Sequence, residues 1–561
     1  MSATTWGALV VALVMMTGLV PGSRAGAQRA AAPAGTAAPS RFVDATTAAK
    51  IAFVHDWGAT PNKRILETLG SGVAWLDYDN DGFEDLFFVN GAPGSASALY
   101  HNNHDGTFSN VTAQAGVGGM TPKTSGVYRY GVAVGDFDNN GFLDLYVTAF
   151  GANTLLRNNG NGTFSDVSAA AGVAGPSSDW STSAGFVDID RDGDLDLYVA
   201  NYLTFRTADD PFCGLHKEGY RMYCGPTIFD GQADRLYRNN GNGTFTDISR
   251  AAGIANPAGK GLGVAFCDVD GDANVDIYVA NDQVRNFLYR NNGDGTFKDI
   301  AYGAGVGFST DGKPQGSMGV DCADIDGNGL PDIFVTNFED ELNSVYRNLG
   351  GGAFQDVSAS IGLRTGFGPV GFGAKLFDMD NDGDLDLVIT NGHVIDNVPL
   401  YRPASTFAQR NLLYENVGGR FLDVSDRSGP PFTARHVGRG LAVADFDNDG
   451  DLDVVISNQG EAPILLKNQS AATNHWITLR ARGTKSNRFG LGTHVEVEAG
   501  GKRQVADVNN AASYLSGNDI RIHVGVGAAI VIDRITLRWP SGRAQTLTNI
   551  KPNQILTVDE P

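Results

Sequence analysis

Seven nine-residue stretches place oxygen-bearing side chains at positions 1, 3, 5 and 9, on the pattern D-x-D-x-[DN]-G-x-x-D with one variant. They are Asp77–Asp85, Asp136–Asp144, Asp188–Asp196, Asp268–Asp276, Asp324–Asp332, Asp378–Asp386 and Asp445–Asp453. In a tight loop alternate residues can point the same way, so side chains at positions 1, 3 and 5 can converge. Glycine at position 6 permits the sharp turn. A backbone carbonyl near position 7 and the aspartate at position 9 then finish an oxygen cage. The predicted ligand side chains are Asp77, Asp79, Asp81 and Asp85; Asp136, Asp138, Asn140 and Asp144; Asp188, Asp190, Asp192 and Asp196; Asp268, Asp270, Asp272 and Asp276; Asp324, Asp326, Asn328 and Asp332; Asp378, Asp380, Asp382 and Asp386; and Asp445, Asp447, Asp449 and Asp453.

Hard oxygen ligands in that number suit Ca²⁺, and the arrangement resembles a shortened EF-hand loop. Mg²⁺ fits less well, because it prefers a tighter octahedron and keeps its waters. The loops hold neither thiolates nor paired histidines, which makes zinc and copper poor candidates. Ligand-position aspartates account for 26 of the 63 acidic residues. Without a cation, three or four carboxylates crowd each loop and repel one another. Seven Ca²⁺ would bring the formal charge from −21 to −7, so folding and metal binding are expected to be coupled, with about one ion per copy. The copies differ. Asn140 and Asn328 trade a charge for a neutral oxygen, and the fourth loop has Gly271 at position 4 and Ala273 at position 6, which makes it the expected weakest site. One such stretch alone would read as an Asx turn; seven in register do not.

The loop starts lie 59, 52, 80, 56, 54 and 67 residues apart, a period that means one supersecondary unit per copy. A glycine-containing apolar strand precedes each loop, as in Gly131–Gly135, and a second strand follows, as in Leu195–Val199. Six copies place asparagine five residues past the last aspartate: Asn90, Asn201, Asn281, Asn337, Asn391 and Asn458, with Ala149 in the second copy. A hairpin cue follows, such as Leu236-Tyr237-Arg238-Asn239-Asn240-Gly241; Asn-Gly between strands is a strong turn signal. Each unit reads as four antiparallel strands, a propeller blade, and the fold class is all-β. The seventh loop lacks a closing strand after Leu465–Asn468, and Phe42-Val43-Asp44-Ala45-Thr46 resembles the missing one. The chain start is therefore expected to complete the last blade and remove the open sheet edges.

With 561 residues and 73 glycines, the chain can hold one large ring and a smaller domain. Trp6–Val20 is apolar but short of the roughly 20 residues a bilayer span needs, and Ala25-Gly26-Ala27 is a small-x-small cleavage site. Residues 1–27 read as a secretion signal, although the stretch before the apolar run carries no Lys or Arg, only the terminal amine, and the Ala/Pro-rich residues 28–40 as a linker. A secreted protein, extracellular or periplasmic, with no membrane span after cleavage is the expectation. Of the four cysteines, Cys213 and Cys224 lie eleven apart in one insert, where an exported location permits a disulfide; Cys267 and Cys322 sit at equivalent points of neighbouring repeats and read equally as free thiols or a bond. A charge of −21 argues against nucleic acid, whose phosphates need a basic surface.

The loops with their flanking strands resemble FG-GAP (integrin-α-like, VCBS-type) repeats, a resemblance that spans residues 41–468 and implies a seven-bladed propeller with calcium in the loops. Residues 473–560 resemble the UnbV/ASPIC domain through Ser486-Asn487-Arg488-Phe489-Gly490-Leu491-Gly492, His523-Val524-Gly525-Val526-Gly527 and Trp539-Pro540-Ser541-Gly542. Thr493, Val524 and Val526 depart from that pattern. The combination resembles the cartilage acidic protein family and its bacterial secreted members, which implies an extracellular, calcium-binding, adhesion-like protein. On residues alone, Trp476–Arg480, His494–Glu498 and Ile535–Trp539 alternate as half-buried strands do, so a separate small β domain is expected beyond a linker at Asn468–Asn474.

Two long insertions, residues 202–235 and 392–411, carry Tyr202, Phe205, Phe212, Tyr220, Tyr223 and Phe229, and His393, Tyr401, Arg402 and Gln409. Such loops on a rigid ring suit recognition of a protein or glycan; they equally suit packing over the ring or docking the C-terminal domain. The sequence holds neither G-x-S-x-G nor H-E-x-x-H, and the G-x-G-x-x-G at Gly366–Gly371 precedes a repeat strand rather than opening a helix. The expected function is an exported adhesion or ligand-binding module with structural metal. The alternative is a polysaccharide lyase or hydrolase on a propeller scaffold. Sequence leaves open whether the C-terminal domain packs on the ring.

Overall fold

The computed structural model describes residues 41–118, 126–363, 368–470 and 473–561. The predicted leader (1–27) and linker (28–40) lie outside the described residues, as do the first two residues of the 366–371 glycine stretch.

Seven four-stranded antiparallel sheets carry the seven aspartate loops. The second is typical: Tyr128–Gly135 runs into the loop, Asp144–Phe150 returns, and Thr154–Asn158 and Phe164–Asp166 complete the blade. The innermost strands pack each against the next in a closed cycle, the seventh returning to the first. Phe42–Asp44 pairs with Ile464–Asn468, Phe42 opposite Asn468, so the chain start supplies the outer strand of the seventh blade as the sequence predicts. The strand periodicity explains the burial. In Asp196–Asn201 every residue is buried, because one face meets the preceding blade and the other the next.

Glycine on the inner strands lets neighbouring strands close up. Six blades have glycine five residues before the loop; a Cβ on Gly263 would lie 2.1 Å from the Met318 carbonyl oxygen of the next inner strand. The third blade has Ser183 there, and its Oγ donates to Leu262 O at 2.5 Å. Cys267 and Cys322, on adjacent inner strands, form a disulfide that staples the fourth blade to the fifth, and Cys213–Cys224 closes the insert hairpin.

The C-terminal residues form a three-stranded sheet (Ile522–Gly527, His475–Arg482, Gln554–Asp559) and a four-stranded one (Lys502–Asp507, His494–Ala499, Ile532–Arg538, Ala544–Ile550). They do not swing free. Residues 509–519 enter the centre of the ring and bond to the inner strand of every blade. Gly517 exchanges backbone hydrogen bonds with Val73 and Trp75, Leu515 O accepts from Val132 N, and Leu515 N donates to Ser183 Oγ. Asn509 Nδ2 donates to Phe266 O, Ser513 pairs with Val320, Ala374 N donates to Ser513 Oγ, and Val443 pairs with Asn518 and Asp519. The tip, Tyr514 and Leu515, is fully buried among Ile65, Leu66, Met318, Phe372 and the first insert's Tyr202 and Phe205.

The two inserts lie on the end of the ring away from the aspartate loops and meet above that apolar tip. Asn397 Nδ2 donates to Gly219 O and Arg221 O, and Tyr220 and Tyr401 pack edge to face. Tyr202, Phe205 and Tyr223 are buried in this cap, whereas Phe212 stays exposed.

Candidate metal centres

Each loop bends because residues 4 and 6 both adopt left-handed backbone. Position 4 is Asn80, Asn139, Arg191, Gly271, Gly327, Asn381 and Asn448, at φ between 53° and 78°; position 6 is glycine at φ 85–95° in six loops. The fourth loop reverses the assignment: Gly271 takes position 4 comfortably, and Ala273 holds φ 65° at position 6.

The bend aims backbone N–H groups at the aspartates. Asp136 accepts from Asn140 N at 3.0 Å and Gly141 N at 2.8 Å, and Asp268 accepts from residues 271, 272 and 273. The aspartate at position 9 accepts from position 2 and from an asparagine at the end of the third strand: Asp144 from Phe137 N at 3.0 Å and Asn158 N at 2.6 Å. Positions 1, 3 and 9 converge. In the first four loops their ligand atoms lie within 4.8 Å of one another. The residue at position 5 instead accepts from position 7, as Asp81 does from Phe83 N at 2.9 Å and Asn140 from Phe142 N at 2.8 Å.

A metal ion fits this donor set. Asp79, Asp138, Asp270 and Asp447, all at position 3, each keep a buried carboxylate oxygen with no hydrogen-bond partner, aimed where the other carboxylates converge. The donors are hard oxygens throughout. Burial pushes the carboxyls of Asp136, Asp188, Asp276, Asp332, Asp378 and Asp445 up to about 7, and Asp386 up to about 9, as expected of carboxylates crowded in a dry site. The protein also supplies some charge of its own beside position 3: Arg157 reaches Asp138 at 2.6 Å, Arg347 reaches Asp326 at 2.9 Å, and Lys467 pairs with Asp447.

Sequence reasoning missed the residues that tie the loops together. The third-strand asparagines Asn102, Asn158, Asn239, Asn291, Asn348, Asn416 and Asn468 each donate Nδ2 to the position-8 carbonyl of their own loop and to the position-2 carbonyl of the loop before it. Asn239, for example, reaches Leu195 O at 3.0 Å and Phe137 O at 2.8 Å. The signal was present as the first asparagine of each hairpin cue, where it read only as a turn residue. The asparagines five residues past position 9 serve the opposite end: Asn201 Nδ2 caps Ala233 O at 2.7 Å, and in the second blade Asn153 accepts from Ala149 N.

A second set of braces is incomplete. Position-4 asparagines donate to the position-6 carbonyl of the following loop from Asn80, Asn139, Asn381 and Asn448. Loops three, four and five carry Arg191, Gly271 and Gly327 instead. Over these loops opens a cleft of about 950 Å³. Its floor includes Asp268, Asp324 and Asp326, and its roof Lys502, Arg503, Arg538 and Arg543 of the C-terminal sheets. Loops one, two and seven are instead covered: Arg480 lies 3.3 Å from Asp77, Arg488 N donates to Asn139, and Arg521 reaches Asp445 O and Asn448. Loop six borders the cleft through Asp378 and Asp384, while His523 pairs with its Asn381 and Lys502 with its Asp384. Asp268 and Asp324 are also the two position-1 aspartates that are only part-buried, while the other five are buried.

Residues 77–147, 136–199, 227–279, 268–335, 324–389 and 404–456 match the FG-GAP-like repeat, and residues 483–561 match the family described as ASPIC and UnbV. Curated relatives include cartilage acidic protein 1 of Xenopus tropicalis, 25% identical over 547 residues that cover 90% of this chain and 75% of that protein. The Homo sapiens protein of that name is 25% identical over 535 residues, 88% of this chain and 72% of its own. Similar solved structures include an Agrocybe aegerita lectin that recognises non-reducing terminal N-acetylglucosamine (TM-score 0.39, 18% identity, 70% of this chain and 86% of that one). Another is the rhamnogalacturonan lyase YesW (TM-score 0.37, 14% identity, 71% and 72%).

Proposed function

Because the chain belongs to the FG-GAP-like repeat family and ends in an ASPIC and UnbV domain, we propose that it is an exported, calcium-loaded binding module for a protein or glycan. The leader (1–27) directs export, the ring occupies 41–468, and residues 473–560 are the second domain, locked into the ring rather than tethered to it. Calcium sits in the aspartate loops on the ligands named from sequence, up to one per blade. Its role there is structural: it neutralises carboxylates that burial would otherwise protonate, and rigidifies the platform that carries the second domain.

The observation that carries the binding reading is the cleft over loops three to five. Asp268 and Asp324 are the two part-buried position-1 aspartates of the ring, and Lys502, Arg503, Arg538 and Arg543 line the same cleft, with Arg503 acting on Asp324. A ligand carboxylate or sulfate placed between a calcium ion and Arg503 or Arg538 would be held from both sides. Acidic glycans and acidic peptides fit that chemistry.

Metal content after dialysis, with melting curves in chelator, Ca²⁺ and Mg²⁺, tests the metal: five to seven calcium ions per chain and a large calcium-specific rise in Tm are expected, and an unchanged curve in excess chelator rejects the reading. An array of acidic and neutral glycans, run with calcium or chelator beside an assay for sugar release, tests the binding. Calcium-dependent retention without turnover supports a module; turnover moves the assignment to a lyase or hydrolase.

A further inference from the structure

Blade 1 differs from its six counterparts in one chemical respect. The third-strand residue beside position 3 is a cation or an acid elsewhere: Arg157, Arg238, Arg290, Arg347, Lys467 and Glu415. In blade 1 it is His101. Three residues on, His104 occupies the hairpin point where five other blades have glycine, and it adopts the same left-handed backbone, φ 62° against 68° for Gly160 and Gly241. A histidine there accepts a strain that glycine avoids.

Both imidazoles reach loop one. His101 Nδ1 lies 3.4 Å from Asp79 Oδ2 and 3.3 Å from Asp85 Oδ1, and His104 Nε2 lies 2.6 Å from Asp81 Oδ2. The ligand atoms of Asp79, Asp81 and His101 fall within 4.8 Å of one another. His101 Nδ1 and Asp79 Oδ1 are both buried atoms without a well-aligned hydrogen bond, and the nearest neighbours of the imidazole nitrogen are the loop carboxylates themselves. The His104 ring is fixed by stacking on Phe83 at 4.1 Å, and the two imidazole centroids are 6.2 Å apart.

We propose that Asp79, Asp81, His101 and His104 form a binding site for an imidazole-preferring divalent cation of the Zn²⁺ class, a site the other six blades lack. Two ligands held by one tetrahedral zinc ion lie roughly 3.3–3.5 Å apart, which is the separation His101 already keeps from Asp79. Imidazole nitrogen binds zinc, copper and nickel well, whereas calcium prefers oxygen alone. The loop by itself is an oxygen cage; the strand and hairpin behind it change its selectivity. Zinc binding moves the His104 nitrogen from its hydrogen bond with Asp81 onto the ion, and both histidines bind as neutral imidazoles. The site does not require any other loop to hold calcium.

The test uses untagged full-length protein, freed of metal by chelator and dialysed, and titrated calorimetrically with Zn²⁺ alone and with Ca²⁺ alone. The wild type is expected to take one tight equivalent of zinc that is lost in H101R/H104G. That variant gives blade 1 residues its counterparts already carry and keeps the wild-type calcium isotherm at the other loops. H104G alone, which removes the strained residue without disturbing the strand, is expected to fold and to weaken zinc binding. Co²⁺ at one equivalent reports the ligands directly, through a visible absorption band present in the wild type, reduced in H104G and absent from H101R/H104G. Equal zinc affinity in wild type and H101R/H104G, or a cobalt band unchanged in H101R/H104G, overturns the proposal.

Discussion

Arg521 and Glu84 face each other at 3.2 Å with each side chain 1% exposed, one from the C-terminal sheets and the other at position 8 of the first aspartate loop. Asp519 adds a second carboxylate at 2.7 Å, and the same guanidinium donates to Asp445 O and Asn448 in loop seven. A single buried cation thus joins the central segment 509–519, loop one and loop seven where the ring closes. Burial and Asp519 push the Glu84 carboxyl up, and Arg521 opposes them.

Removing Arg521 takes the paired cation from two carboxylates in a dry site and leaves only the more distant Arg480 acting on Glu84, a loss of about 3–5 kcal/mol. Arg521→Met is therefore expected to lower the denaturant midpoint sharply, and adding Glu84→Gln to recover part of the loss. A double variant no better than the single one would show that the pair does not act as a unit.

The asparagine relay makes a local substitution felt in two blades. Asn239→Ala strips Leu195 O and Phe137 O of a partner, which costs about 2–3 kcal/mol. Hydrogen exchange is expected to accelerate in loop two as well as loop three. Acceleration confined to loop three would contradict the bridging role.

The fourth loop should improve on repair. Ala273 sits at φ 65° where its counterparts are glycine; Ala273→Gly removes left-handed strain and is expected to stabilise the protein by about 0.5–1 kcal/mol, net of the added chain entropy. It should also tighten the weakest calcium step. Unchanged melting and an unchanged isotherm would mean the loop has already absorbed the substitution.

Burial lifts the loop aspartates from 3.8 to about 7 in Asp136, Asp188, Asp276, Asp332, Asp378 and Asp445. The metal-free folded chain therefore holds protons that the unfolded chain releases, and this contribution is complete below the unfolded value and lost as pH rises through about 7. In chelator, Tm is expected to fall between pH 5 and pH 8. With calcium the fall should disappear, because the ion takes the deprotonated form. The same decline in both conditions would argue that calcium does not reach these carboxylates.

Much of the ring was legible from residues alone. Periodic aspartates, a glycine before each loop and Asn-Gly hairpins each encode a bend or a strand through backbone geometry that depends only on near neighbours. The displaced outer strand was legible too, because Phe42-Val43-Asp44 repeats a pattern whose copy was missing after Asn468. Local pattern also explains why Cys213 and Cys224 suggest a bond, while Cys267 and Cys322, 55 residues apart, stay open between free thiols and a bond until two strands lie side by side.

What the tertiary structure decided is everything that depends on which surfaces meet. Nothing in Asn509–Asp519 marks it as the axle of a wheel, since its partners are backbone groups on six strands and the Ser183 hydroxyl on the seventh, spread from Val73 to Val443. The aromatic inserts suit a cap over the ring more than a recognition surface, and the bonds from Asn397 to Gly219 and Arg221 join the two inserts into that cap. The two imidazoles beside Asp79 and Asp81 belong to a strand and a hairpin some twenty residues further along the chain. Sequence spacing specifies how a chain turns, because turning is a local cost in φ and ψ; which distant groups then share a dry space follows only from closure of the whole ring.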